Sequence, residues 1–266
     1  MRFVVVERVL DGRAAVVTLN RPEARNAINR QLGKELAACL AELRDDAALR
    51  AVIITGAGAA FSAGVDLKDP LFADPEVMTR GWIQGPRNYL WQMQQFQVPL
   101  LAAVNGPCVT GAMEIALQCD IIIASTKALF RDTHSTYGIP PAGGMSQILQ
   151  RMIGLQRARY MSLTGAKVDG ATAYEWGLAC MVVEPEELMA KARAVAGVIA
   201  EKDRATTATF RRLIDEGQGR SMQEALDYEI DTVLTKYAEM GSGGGSTQER
   251  LSDAFAAQQR RVRSKM

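Results

Sequence analysis

The sequence predicts an α/β protein with a helical C-terminal section, and three observations carry that prediction. Short β-branched runs alternate with segments whose apolar residues recur at helical spacing. The runs end in glycine-bearing turns, the places where a chain of this class sets its sites. Beyond Glu184-Pro185 the pattern becomes wholly helical.

Taken in order, the chain opens with FVVVERV and RAAVVTL on either side of Asp11-Gly12. Glycine tolerates positive φ, so the pair predicts a tight turn and the two runs a hairpin. Asn26 to Asp46 reads as a helix, with Leu32, Leu36, Leu40 and Leu43 at helical spacing and Lys34, Glu35, Glu42 and Arg44 on other faces. RAVIITG follows as a short buried strand, ended by a glycine-rich loop. The order repeats as a helical stretch from Glu76 to Gln97, a strand at LLAAV, a glycine turn, a short helix GAMEIALQ and a strand at DIIIA. Four helical segments close the chain: EELMAKARAVAGVIAEK, ATTATFRRLIDEG, SMQEALDYEIDTVLTKYAEM and TQERLSDAFAAQQRRVRSKM. GSGGGS, Gly241 to Ser246, has the composition of a flexible surface loop. The resulting division is an α/β core over residues 1–195 and a helical section over 196–266.

With 48% hydrophobic residues in 266, the chain can bury a sizeable core. Thirty-one basic against thirty acidic residues give a formal charge of +1, which removes the electrostatic case for a nucleic-acid or membrane-surface partner. The basic RRVRSK near the end reads as solvated surface. Cys39, Cys108, Cys119 and Cys180 are widely separated and form no CxxC pair or histidine-bearing metal spacing. They are expected to be reduced core residues, with no metal site. The opening valines are broken by Glu7 and Arg8, and no apolar run approaches the roughly 20 residues that cross a bilayer, so a cytoplasmic setting is expected.

Two glycine-bearing turns stand out, TGAGAAFSAGVDL (Thr55 to Leu67) and VNGPCVTGAMEIAL (Val104 to Leu117). Neither fits GxGxxG or the phosphate loop ending in GK and Ser or Thr, so no nucleotide cofactor is expected. Small residues do let backbone approach a ligand, and two N–H groups converging on one oxygen make an oxyanion hole.

In order and spacing these segments resemble the crotonase superfamily, the enoyl-CoA hydratase/isomerase family, over nearly the whole chain. LNRPEARNAIN (Leu19 to Asn29) is similar to the family's opening signature, and GAGAAFSAGVDL to its first oxyanion loop. AAVNGPCVTGAMEIALQCDIIIAS resembles the second loop with its catalytic helix; GIPPAGG (Gly138 to Gly144) and LTGAKVDGATAYEWGLACMVV (Leu163 to Val183) extend the match. The resemblance implies a crotonase-type spiral of ββα repeats, and a C-terminal section that assembles homotrimers, or hexamers as dimers of trimers. It implies an acyl-CoA thioester as substrate and no cofactor beyond that CoA.

Position by position, the resemblance gives Ala63 and Gly111 as the oxyanion-hole donors and Arg25, Gly64, Val65 and Asp66 as lining the CoA path. Lys68 is a candidate for the CoA phosphates, with a solvated lysine as the alternative. Family hydratases use two glutamates, one on the helix after the second loop and one twenty residues on. Glu114 occupies the first position; the second is held by His134, the only histidine in the chain. Apolar neighbours in AMEIAL predict a desolvated Glu114 carboxyl with a raised pKa. Imidazole titrates near neutrality, so His134 can both accept and donate a proton. Asp132, two residues before it, is a candidate to orient the ring, though solvated surface is its expected setting. Trp82, Trp91, Met78 and Met93 fall in the segment expected to cover the acyl pocket, or in core; Cys108, Thr110 and Met113 lie near the site.

Hydration of a 2-enoyl-CoA is the leading expectation. C–C bond hydrolysis in a β-diketone or cyclic β-keto thioester, and double-bond isomerisation, pass through the same enolate. A non-catalytic relative that binds acyl-CoA, RNA or a partner protein is the alternative of another class.

Overall fold

The computed structural model describes residues 1–70, 74–77, 79–241, 252 and 256. Strands β1 (Val4–Val9) and β2 (Ala14–Leu19) form the expected antiparallel hairpin, with Val4 opposite Leu19 and positive φ at Leu10, Asp11 and Gly12 in the turn. Helix α1 (Arg30–Arg44) starts later than its apolar periodicity alone suggests. Asn29 accepts the Leu32 N–H as N-cap, and Asn26 before it is buried in a left-handed conformation that a helix cannot contain.

β3 (Ala51–Gly56) is followed by α2 (Arg80–Ile83) and α3 (Tyr89–Gln94). The helical stretch expected from Glu76 to Gln97 is therefore two short helices. Pro86 lacks an N–H and disfavours helical φ and ψ in the residue before it, and Asn88 restarts the helix by accepting the Leu90 N–H.

Next come β4 (Leu100–Val104), β5 (Pro107–Val109), α4 (Gly111–Leu117), β6 (Ile121–Ser125), β7 (Leu129–Arg131) and α5 (His134–Tyr137). Then follow α6 (Met145–Ile153), α7 (Leu155–Thr164), β8 (Lys167–Asp169), α8 (Gly170–Glu175), β9 (Met181–Val183), α9 (Leu188–Ala200), α10 (Arg204–Gly217) and α11 (Met222–Gly241). One sheet has the order β1-β2-β3-β4-β6-β9, parallel after its first pair; a second has the order β5-β7-β8. The chain alternates between them, as β4-β5-α4 and then β6-β7-α5, so it winds as a spiral of ββα units. The two glycine-bearing loops leave the same end of the large sheet, after the parallel strands β3 and β4.

β3 and β4 are buried along their whole lengths, which accounts for their continuous apolar runs. Alternate side chains serve opposite faces. Val52 and Ile54 join Leu32, Leu36 and Leu40 of α1 in the main core, whereas Ile53, Leu101 and Ile123 meet Leu188, Ala192 and Ala196 of α9.

Two compact units result, Met1–Ala208 and Thr209–Met266, and the expected division at 195/196 falls inside α9. In the second unit Ser221 and Glu224 cap α11 reciprocally, Ser221 Oγ taking the Glu224 N–H and the Glu224 carboxylate taking that of Ser221. Residues 242–246 of the GSGGGS stretch lie outside the described residues, as do Met78, the RRVRSK tail and all but residues 252 and 256 of the last expected helix.

Cys39, Cys108 and Cys119 are buried as expected, and burial pushes the Cys39 thiol up to about 12. Cys180 is exposed instead, because it leads into β9 at the sheet's edge. Among the described residues no helix is long and apolar enough to cross a membrane.

Candidate active site

The opening signature acts as a brace for the first glycine loop. Asn26 is fully buried, and its amide donates to the carbonyls of Ala57 (2.9 Å) and Ala60 (2.8 Å) while accepting the Arg21 N–H. Ser62 Oγ donates to the Asn26 carbonyl (2.7 Å) and accepts the Gly64 N–H (3.1 Å). A fully desolvated amide with all these partners fixes the loop's shape. Neither Asn26 nor Ser62 stood out in the sequence, since their partners are carbonyls that carry no residue-type signal.

That bracing decides which N–H groups are free. Ala63 N–H donates to the Arg25 carbonyl (2.9 Å), so Ala63 does not supply the oxyanion donor expected of it. Val65 forms a parallel bridge with Ile28, in which Ile28 N–H donates to the Gly64 carbonyl and Asp66 N–H to the Ile28 carbonyl. In extended chain, alternate residues turn their N–H groups to opposite sides, so the Val65 N–H points away from Ile28. It has no acceptor among the described residues. Gly111 opens α4, where a first-turn N–H lacks an intrahelical partner. A Cβ built on Gly111 would lie 3.6 Å from the Val65 nitrogen, which places the two donors side by side. Val65 and Gly111 both line a cavity of about 800 Å³.

Thr110, just before Gly111, holds φ at 51° and ψ at −106°, a positive-φ conformation disfavoured for a β-branched residue. Its hydroxyl pairs with that of Thr133 and accepts the Thr133 N–H (3.0 Å), tying the second loop to the segment that carries His134. Thr110→Ala, which keeps the strain and loses both bonds, is expected to lower unfolding stability by about 1–3 kcal/mol. Thr110→Gly recovers part of that loss by removing the strain; denaturant midpoints of the two variants check the order.

Glu114 projects from α4 into the same cavity, is 7% exposed, and accepts the Gly143 N–H at 2.7 Å. Burial pushes its carboxyl above the usual carboxylate range; the Gly143 and Met145 N–H groups and the charge of His134 offset this in part. The expected desolvation is thus present. His134 opens α5 and also lines the cavity, with its Nδ1 2.7 Å from Asp132 Oδ1. Burial pulls the imidazole down, but Asp132 and the charge of Glu114 outweigh it and leave His134 above its ordinary value.

Asp132 is 1% exposed, against the expectation of solvated surface. It lies between the end of β7 and the start of α5, with α7 packed on α5, and is enclosed rather than left on an extended edge. Burial raises its carboxyl, and hydrogen bonds from the His134 ring, the His134 N–H and Ser162 prevail and hold it below the usual range.

Four of the expected residues, Arg25, Gly64, Asp66 and Lys68, sit outside the cavity lining. Arg25 is exposed and left-handed, and its carbonyl rather than its side chain serves the loop. Asp66 is ion-paired with Arg21 at 2.5 Å, which holds its carboxyl low. Gly64 is where the two loops touch, and Lys68 is exposed with its N–H bonded to Asp66. Trp82 and Trp91 line the cavity, as does Thr110; Met93, Cys108 and Met113 are core.

A sequence profile described as Enoyl-CoA hydratase/isomerase matches residues 11–255. A probable peroxisomal enoyl-CoA hydratase of Arabidopsis thaliana is 34% identical over 230 residues, 86% of this chain and 85% of its own. A short-chain-enoyl-CoA hydratase of Clostridium acetobutylicum is 34% identical over 229 residues, 86% of this chain and 87% of its own. The crystal structure of an enoyl-CoA hydratase from Bacillus anthracis superposes with a TM-score of 0.83 at 29% identity, covering 96% of each chain. With its crotonase-type spiral and paired loops, the chain belongs to the enoyl-CoA hydratase/isomerase family.

Proposed function

We propose that the protein adds water to a 2-enoyl-CoA thioester through an enolate. The observation that carries this reading is the convergence on one cavity of two free backbone N–H groups, from Val65 and Gly111, and two proton-exchanging side chains, Glu114 and His134. The two N–H groups receive the thioester oxygen as it gains charge; one such donor contributes about 3–4 kcal/mol in other enzymes. Glu114 and His134 hold one water between them. One takes its proton as the oxygen bonds to C3, the displaced electron pair moves onto the thioester oxygen, and a proton returns to C2 from the other. The thioester gains one water and the side chains recover their protonation by exchange. No cofactor beyond the substrate's own CoA enters that balance.

Lys68, exposed just past the first glycine loop, is the cation we assign to the CoA phosphates, with the chain around Arg25 along the CoA path. The exposed apolar side chains of Phe210, Ile214, Leu226, Ile230 and Leu234 support assembly as a homotrimer, or a hexamer of two trimers. A second reading, hydrolytic C–C cleavage of a β-keto thioester or β-diketone, is favoured by one observation: a histidine backed by a buried carboxylate suits activation of water.

The test is mass-resolved product analysis with a panel of 2-enoyl-CoA and cyclic β-keto-CoA thioesters. Water gained by an enoyl-CoA supports hydration; water gained only by a β-keto substrate, with its ring opened or chain split, replaces it with the hydrolytic reading. The pH profile supplies a second expectation. A base must be neutral to accept a proton, and the surroundings of His134 keep it protonated to higher pH than free imidazole. The acid limb of kcat/KM is therefore expected above the ordinary imidazole range; a flat rate through that range counts against His134 as base.

A further inference from the structure

Asp132 is a buried carboxylate that the reaction as written does not use. It is 1% exposed, and one of its oxygens, Oδ1, meets both Nδ1 of the His134 ring at 2.7 Å and the His134 backbone N–H at 3.0 Å. Two bonds from one residue onto one oxygen fix the ring's position as well as its proximity. Ser162, from α7, helps to hold the same carboxylate below its ordinary range.

An ionised carboxylate only accepts hydrogen bonds, so the ring nitrogen facing it carries the hydrogen. The other nitrogen, Nε2, has no hydrogen-bond partner among the described residues, while His134 lines the cavity with Glu114. We infer that Asp132 is a positioning residue that holds neutral His134 as the Nδ1–H tautomer, so that Nε2 is bare and takes the proton of the reacting water. Glu114 is then the group that returns a proton to C2, and the two positions filled by glutamates in family hydratases have unequal tasks here. The catalytic consequence rests on the proposed reaction; the tautomer itself does not.

The charged groups near the ring are few. On its own segment there is Asp132, and from α4 there is Glu114, both of which favour the imidazolium. Arg131 lines the same cavity with its Nε tied to the Gly165 carbonyl, and α7, packed on α5, presents Ser162. Asp132→Asn removes the charge, and because both His134 bonds fall on Oδ1, the amide either keeps its oxygen there for both or turns its nitrogen toward Nδ1 as a donor and gives up the His134 N–H bond.

The experiment exploits the fact that His134 is the sole histidine. Untagged full-length protein labelled with 15N-histidine gives ring resonances that belong to this one residue. The wild type is expected to show Nδ1 protonated and Nε2 bare in the neutral form. In Asp132→Asn the ring titrates at lower pH, the tautomers mix or reverse, and the acid limb of kcat/KM moves down with the titration. kcat is expected to fall by about 10²- to 10⁴-fold, since the wrong tautomer cannot accept the proton. A wild-type ring with its proton on Nε2 overturns the inference without any variant, and so does a variant ring that titrates like the wild type. If tautomer and titration behave as stated while no enoyl-CoA gains water, the positioning role is upheld and hydration is the reading that fails.

Discussion

Glu114→Gln is expected to lower kcat by about 10²–10⁴-fold while leaving the fold intact. The substitution is isosteric, and the glutamine oxygen can still accept the Gly143 N–H that Oε1 accepts at 2.7 Å. What disappears is the ability to hold and release a proton. Stability should move the other way. Burial raises the Glu114 carboxyl above its unfolded value, so its contribution to stability is fully present below the unfolded pKa and is lost as pH rises through the folded one. Above that folded pKa the wild type carries a buried carboxylate that the amide variant does not. Thermal or denaturant unfolding should show the variant at least as stable at pH 8, with the difference shrinking in acid. An activity loss below tenfold would remove Glu114 from the proton-transfer step.

Gly64→Ala is expected to damage both stability and catalysis, by a different route. Gly64 has φ of +86°, and an added Cβ would sit 2.5 Å from the carbonyl oxygen of Val109, a backbone atom with no rotamer to escape into. Conformational strain accounts for roughly 1–2 kcal/mol. Forcing the two loops apart adds about 1–3 kcal/mol, as overpacking does elsewhere. Because Val65 is the next residue and Gly111 follows Val109 by two, the same displacement separates the two N–H groups that we propose receive the thioester oxygen. A loss of about 10²-fold in kcat/KM is the expected result, the scale of losing one such donor. Gly12→Ala is the control: its φ is +80°, but nothing lies within 4 Å of the added carbon. That variant should show the strain cost alone, with activity unchanged. Equal effects of the two substitutions would show that loop contact at Gly64 does not matter.

The elements of the fold were legible where local rules act without competition. The leucines of α1, the Asp11-Gly12 turn and the apolar runs of β3 and β4 all follow from periodicity, turn chemistry or two-sided burial. Pro86 was equally plain in the sequence, yet periodicity carried the expected helix through it, and local geometry prevailed. The two ionisable positions were legible through the resemblance, since a helix following a glycine loop holds Glu114 at a set distance from Gly111, with His134 twenty residues on.

The sequence by itself thus determined the fold class, the family and the pair Glu114 and His134, because spacing and residue type are written along the chain. Only the tertiary structure decided which N–H groups are free, and it chose Val65 over Ala63. The deciding partner of Ala63 is the carbonyl of Arg25, 38 residues earlier in the chain, and in extended backbone a shift of one or two residues changes which N–H has an acceptor. Only the structure placed Asp132 out of water, since enclosure depends on α7 and Ser162 arriving from elsewhere in the fold. A residue's type states what it can bond to, and the path of the chain determines what is within reach.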